Sequence, residues 1–262
     1  MRFTTADRNR QIITTGFGIL ALILFIVGRV HAQTPLVYTG DALQFSLLDS
    51  MGIGSWMWIP IVGGLLAFTV WQWLPTANTI EFQRTHWFFP SLAMLLVGLY
   101  VMLQGLGMPF ASALVVLVLT VVTVVLLVGL PPYLFGAKTK GQRAAITLIV
   151  DVTFGLLAGW SIYLLFSILA LPVTNLGHNW FVRNFFGLLL IIAFGTVLLL
   201  VGYVAGNRIS IYFAGMWPLL FMVFANLFIV GGSILAGLVS LLVLCASIFC
   251  LTLIGKHKSF KL

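Results

Sequence analysis

Eight long apolar stretches, near 11–30, 54–74, 87–105, 110–130, 144–170, 182–204, 209–229 and 233–254, fill most of this 262-residue chain. Each approaches or exceeds the roughly 20 residues that an α-helix needs to cross about 30 Å of hydrocarbon. Hydrophobic residues make up 61% of the chain and charged residues 7%, more apolar surface than an aqueous core can hide. The runs lack the alternation of a barrel strand, and backbone N–H and C=O groups find no water in lipid, so the spans are expected to be helices. The sequence therefore predicts an all-α, polytopic membrane bundle of eight spans in a single integral membrane domain. Only Gly231, Gly232 and Ser233 separate the last two spans. That spacing predicts either a tight helical hairpin or a partly re-entrant segment.

Charge placement supports the same count. With the N-terminus inside, the inner segments hold Arg2, Arg8, Arg10, Arg84, Lys138, Lys140, Arg143, Arg208, Lys256, Lys258 and Lys261, and the outer segments only Arg29 and Arg183. Lys and Arg concentrate on the cytoplasmic side of membrane proteins, so both termini are expected in the cytosol; with no organellar targeting peptide evident, a prokaryotic plasma membrane is the expected location. The net charge of +8 is then accounted for by topology and an anionic inner leaflet, which argues against a nucleic-acid partner. Residues 1–32 also have the outline of a secretory signal peptide, with a basic start, an apolar stretch and Val30-His31-Ala32 near the place of cleavage; the long apolar stretch and Arg29 argue against removal. The longest loop, His31 to Ser55, carries Asp41 and Asp49, and its segment from Ala42 to Leu48 suits an interfacial helix or a cover over a cavity mouth.

Few residues have the makings of a reaction centre. Cys245 and Cys250 fall five apart within the last span, which favours neither a disulfide nor a metal pair. His31, His86, His178 and His257 lie in loops or at a terminus, and no HExxH, DDxxD, serine nucleophile elbow or phosphate-cradling glycine loop is present. The chain reads as a non-enzyme, with neither a metal nor a required cofactor. Asp151 is the single acid inside a span. An intramembrane carboxylate signals a proton path, an ion site or a polar contact within the bundle; a structural role beside Thr147 and Arg143, at helical spacings of four and eight, is the competing reading.

The eight tryptophans divide into two groups. Trp56, Trp58, Trp71, Trp73, Trp87 and Trp180 fall near span ends, where indole rings favour the headgroup zone. Trp160 and Trp217 fall well inside spans, where the indole N–H wants an acceptor from a neighbouring helix or a ligand. Pro60 and Pro218 each remove a backbone hydrogen bond within a span and can open space beside Trp58 and Trp217. The pairs Gly155/Gly159 and Gly202/Gly206 have the spacing of small residues at close helix contacts.

The stretch Trp56-Met57-Trp58-Ile59-Pro60-Ile61-Val62-Gly63-Gly64-Leu65, continuing to Trp71-Gln72-Trp73-Leu74-Pro75, resembles the second helix of the tryptophan-rich sensory protein family, also called the TspO or translocator protein family. Phe154-Gly155-Leu156-Leu157-Ala158-Gly159-Trp160 is similar to that family's fifth helix. The resemblance covers 10–170 as a five-helix core and leaves 182–254 as three additional helices of a longer member. Thr153 stands where the family has a proline, Ile168 where it has an asparagine, and Gln33 to Ser55 lacks its proline elements. The resemblance implies an aromatic-lined cavity for a flat hydrophobic ligand such as a tetrapyrrole or sterol-like molecule, with Trp58, Pro60, Phe154 and Trp160 at the matching positions. It also implies a loop acting as a lid, and a homodimer. The expected function is to sense, sequester or move that small molecule. The alternatives are a secondary transporter or permease component using Asp151, and a structural partner of another membrane complex. Transport favours an internal repeat, and none is evident between the first four spans and the last four.

Overall fold

A computed structural model describes residues 4–31, 47–48, 53–74, 77, 80–130, 139–175, 180–228 and 232–259; the side chains of 173–175, 180 and 254–259 are not described. Every extended element among the described residues is helical, and eight helices are long and apolar enough to cross a membrane. These eight, from Thr5–His31 through Ile53–Trp71, Phe88–Gly105, Pro109–Val128, Lys140–Pro172, Phe181–Val204 and Ile209–Phe228 to Ile234–Leu253, fall on the expected stretches. Asp41, Asp49, His178 and most of the expected interfacial segment from Ala42 to Leu48 lie outside the described residues.

The chain divides into two compact units, Met1–Thr34 with Trp58–Ala158, and Pro35–Met57 with Gly159–Leu262. In the first unit, α1 (Thr5–His31), α2 (Trp58–Trp71), α4 (Phe88–Gly105) and α5 (Pro109–Val128) are joined by a short α3 (Glu81–His86) outside the eight spans. α4 and α5 are antiparallel neighbours linked by a tight turn. Gly107 takes φ +71° there, Met108 N–H bonds Leu103 O at 2.9 Å, and Pro109 opens α5 with its preset φ. α1 lies hard against α4. A Cβ added at Gly28 would strike the backbone of Val101 and Met102, one at Gly98 the backbone of Ala21, and one at Gly105 the backbone of Gly28. In lipid, where helix association gains little from hydrophobicity, such close approach supplies the packing.

The remaining span of this unit begins with α6 (Lys140–Ala145), capped by Thr139, whose side chain accepts from Gln142 N at 3.1 Å. It continues through a π-helical stretch (Ile146–Val152) into α7 (Thr153–Asn175). The division between the units falls within α7.

In the second unit, α7 continues and is followed by α8 (Trp180–Val204), α9 (Ile209–Phe228) and α10 (Ile234–Ser259). Gly159 meets the backbone of Ile211, and Gly202 the ring of Tyr212, so these two glycines do mark close helix contacts. Gly206 does something else. With φ +84° and open space around its Cβ position, it makes the α8–α9 turn together with Asn207 at φ 56°. α9 and α10 form a hairpin, one of the two arrangements the sequence left open for the last two spans. Asn226 Oδ1 accepts from Ser233 N at 3.3 Å, and its Nδ2 donates to Met222 O and Leu47 O, both at 2.9 Å.

Candidate functional site

Two helices that touch at both ends and not in the middle leave a cleft, and α1 and α2 do this on a floor of α4. Near the N-terminal end of α1, Gln11 Nε2 donates to Gln72 O at 2.6 Å, while Gln72 Nε2 and Trp73 Nε1 donate to Thr15 Oγ1 at 3.1 and 2.9 Å. Near the other end, Phe25 meets Trp58 edge-on at 5.9 Å, and Trp58 stacks on Tyr100 at 6.1 Å with 21° between the planes. Between these contacts lies a cavity of about 110 Å³ lined by Gly18, Leu22, Phe25, Val62, Leu65, Thr69, Met94 and their neighbours.

Nearly all of that lining is hydrocarbon. Thr69 Oγ1 is its polar exception; it donates to Leu65 O at 2.9 Å and lies 3.5 Å from Met94 Sδ, so the hydroxyl is turned back on its own helix. Ile19, Leu22 and Leu66 on the rim are exposed, so the cleft opens on the outer surface of the unit. Gly18 sets its width. A Cβ there would come 3.3 Å from Thr69 Oγ1, and a longer side chain would fill the space.

A buried polar cluster fixes the N-terminal end of α1. Arg84 of α3 grips Asp7 with two bonds, Nε to Oδ1 at 3.0 Å and Nη2 to Oδ2 at 2.6 Å, and Arg10 Nη1 lies 3.3 Å from Oδ1. Thr4 completes the cap, with its backbone N–H bonded to Asp7 Oδ2 at 3.0 Å. Bidentate geometry fixes direction as well as distance, so α3 is locked to α1. Ser91 Oγ, 2.9 Å from Thr14 Oγ1, ties α4 to the same end. At the end of α3, His86 stacks on Phe82 at 5.8 Å and meets Phe89 at 6.0 Å, and burial holds its imidazole pKa below the ordinary value.

The positions singled out by sequence fall in several places. Trp58 belongs to the first unit and reaches the cleft through Phe25. Pro60 is exposed on α2. Phe154 is fully buried in the first unit and meets Phe68 edge-on at 5.7 Å. Trp160 belongs to the second unit, is 2% exposed and packs on Tyr163 at 4.8 Å, whose hydroxyl donates to Leu48 O at 3.3 Å. The residues lining the cleft include none of these four. Asp151 is half-buried in the π-helical stretch. Of the tryptophans read as interfacial, Trp56 and Trp73 are exposed, whereas Trp71 is buried beside Phe68. Trp217 has its indole N–H buried without an acceptor among the described residues, flanked by Phe213 and Phe221.

Comparison with protein-family models, with curated proteins and with solved structures gives no match. The molecule is an integral, multi-pass helical membrane protein in contact with lipid.

Proposed function

We propose that the protein is a non-enzymatic membrane protein that takes a hydrophobic small molecule from the lipid phase into the cleft between α1 and α2. The observation carrying this reading is the apolar cavity itself, held open by contacts at both ends and exposed along its rim. Volume narrows the ligand. An apolar protein cavity of about 150 Å³ accepts one benzene ring, so about 110 Å³ accommodates a ring edge or a chain segment rather than a whole macrocycle. A flat sterol-like molecule or a tetrapyrrole then inserts one edge and lies against Ile19, Leu22 and Leu66. Trp58, held between Phe25 and Tyr100, is the reporter beside it.

The TspO-like resemblance rests on its short motifs, and the four positions it singles out do not line this cleft. The bias in Lys and Arg supports cytoplasmic termini. The test is a titration of the detergent-purified protein with protoporphyrin, following tryptophan emission. Saturable quenching is expected, lower in amplitude in Trp58→Phe and lost in Gly18→Leu, with Trp160→Phe unchanged in affinity. Linear quenching, or a Gly18→Leu variant that binds like the parent, would overturn the site.

A second reading, coupled transport, draws on one observation. Asp151 lies in a π-helical stretch inside a span, and such stretches concentrate at functional sites. Loss of pH-driven uptake in Asp151→Asn, with ligand binding retained, would favour it.

A further inference from the structure

The start of the fifth span presents a second cavity, unlike the first in size and chemistry. It has a volume of about 640 Å³ and is lined by Thr139, Lys140, Arg143, Thr147, Leu148 and Val152, with Ala144 between them. Polar and cationic groups come first along the helix and aliphatic groups follow. At 1.5 Å per residue Leu148 lies about 12 Å beyond Lys140 along the axis. This gradient runs in the sense of a headgroup passing into an acyl layer.

The π-helical stretch is what brings these residues onto one face. Twelve residues of regular α-helix would turn Val152 about 120° away from Lys140. The wider turns of Ile146–Val152 rotate each residue less, and Val152 returns to the side that carries Lys140, Ala144 and Leu148. The buried Ile146 and Val150 hold the opposite side within the unit. Lys140, Arg143, Thr147 and Leu148 are all exposed.

We propose that this face is a binding groove for one anionic phospholipid, with its phosphate on Lys140 and Arg143 and an acyl chain along Leu148 and Val152. Charge complementarity identifies the occupant. Two cations three residues apart suit a phosphate, and Thr139 and Thr147 offer hydroxyls to its oxygens or to a glycerol headgroup. A zwitterionic lipid supplies the same chain without the net charge.

Native mass spectrometry of the full-length protein, released from micelles holding equal phosphatidylglycerol and phosphatidylcholine, tests this directly. The parent should retain phosphatidylglycerol in preference. Lys140→Gln and Arg143→Gln should each weaken that preference about fivefold, the size expected for one basic residue at an anionic surface. Arg8→Gln, which removes an exposed charge elsewhere, should leave it unchanged. Dihexanoyl phosphatidylglycerol should compete poorly, and glycerol phosphate not at all. Equal retention of the two lipids, the same loss in Arg8→Gln, or displacement by glycerol phosphate would each overturn the proposal. Gly18→Leu should leave the lipid preference intact, so failure of the α1–α2 ligand site would be seen separately.

Discussion

Helix α1 meets α4 and α2 in different ways. Toward α4 it presents Ala21 and Gly28, and α4 answers with Gly98 and Gly105, so backbone meets backbone along the seam. Toward α2 it presents Gly18, Leu22 and Phe25, which meet Val62, Leu65 and Thr69 across a void. Both faces contain glycine. Its effect depends on what lies opposite: where the neighbour is backbone, the missing side chain allows contact, and where the neighbour is a side chain already turned aside, it leaves a cavity. The polar clamp at Thr15 and the ring contact at Trp58 then keep α2 from closing on α1.

The sharpest way to break this contrast is a methyl group on each side of α1. Gly98→Ala forces a Cβ into the backbone of Ala21, where nothing can rotate away. The helices must separate, and we expect a loss of about 1–3 kcal/mol, read as a lowered midpoint of thermal unfolding in detergent. Gly18→Ala makes the opposite case. Its Cβ would lie 3.3 Å from Thr69 Oγ1, 3.6 Å from Thr69 Cγ2 and 3.8 Å from Met94 Sδ, side-chain atoms that can give by a few tenths of an ångström where backbone cannot, and replacing a mid-helix glycine by alanine favours the helix by about 1 kcal/mol. The midpoint should hold or rise while the cavity shrinks, and ligand affinity should fall. Equal destabilisation by the two substitutions would mean that the faces of α1 do not differ as described.

Much of the architecture was legible because bilayer thickness fixes span length and apolar composition marks it. The eight spans follow from that alone, whereas the last two left a hairpin and a re-entrant segment both open. Which glycines matter was legible only in part: Gly159 and Gly202 do pack closely, but most of the pattern was hidden. Among 26 glycines, the pair Gly202/Gly206 has the spacing of a packing motif, yet Gly206 makes a turn, while Gly98 and Gly105 of the α1–α4 seam stand seven apart. Spacing within one helix does not identify the helix opposite. The π-helical stretch is silent for a related reason: residues 146–152 are apolar except for Thr147 and Asp151, so little polar periodicity records a change of turn. The Asp7–Arg84 pair escapes notice because its members are 77 residues apart and each reads as an ordinary charge beside a span. The quoted second-helix stretch adjoins the cleft through Val62 and Leu65, which line it, and through Trp58 by way of the ring of Phe25.

The smallest expected effect concerns a contact of intermediate kind. A Cβ at Gly129 would come 2.9 Å from Nε2 of His86, the end of a side chain rather than backbone, so Gly129→Ala should cost less than Gly98→Ala because the imidazole can shift. The same imidazole makes stability depend on pH. Burial holds its pKa below the ordinary value of 6.5 in the folded protein, so the unfolded chain takes up a proton first as pH falls. Stability is therefore fully present above the unfolded pKa, declines as pH drops through it, and levels off below the folded pKa. His86→Gln should remove that component. Unfolding midpoints of parent and variant, measured from pH 8 to pH 5, should draw together or cross on the acid side in favour of the variant. Parallel curves would show that His86 is open to solvent and that the contact between α3 and the end of α5 is looser than the packing of His86 on Phe82 and Phe89 implies.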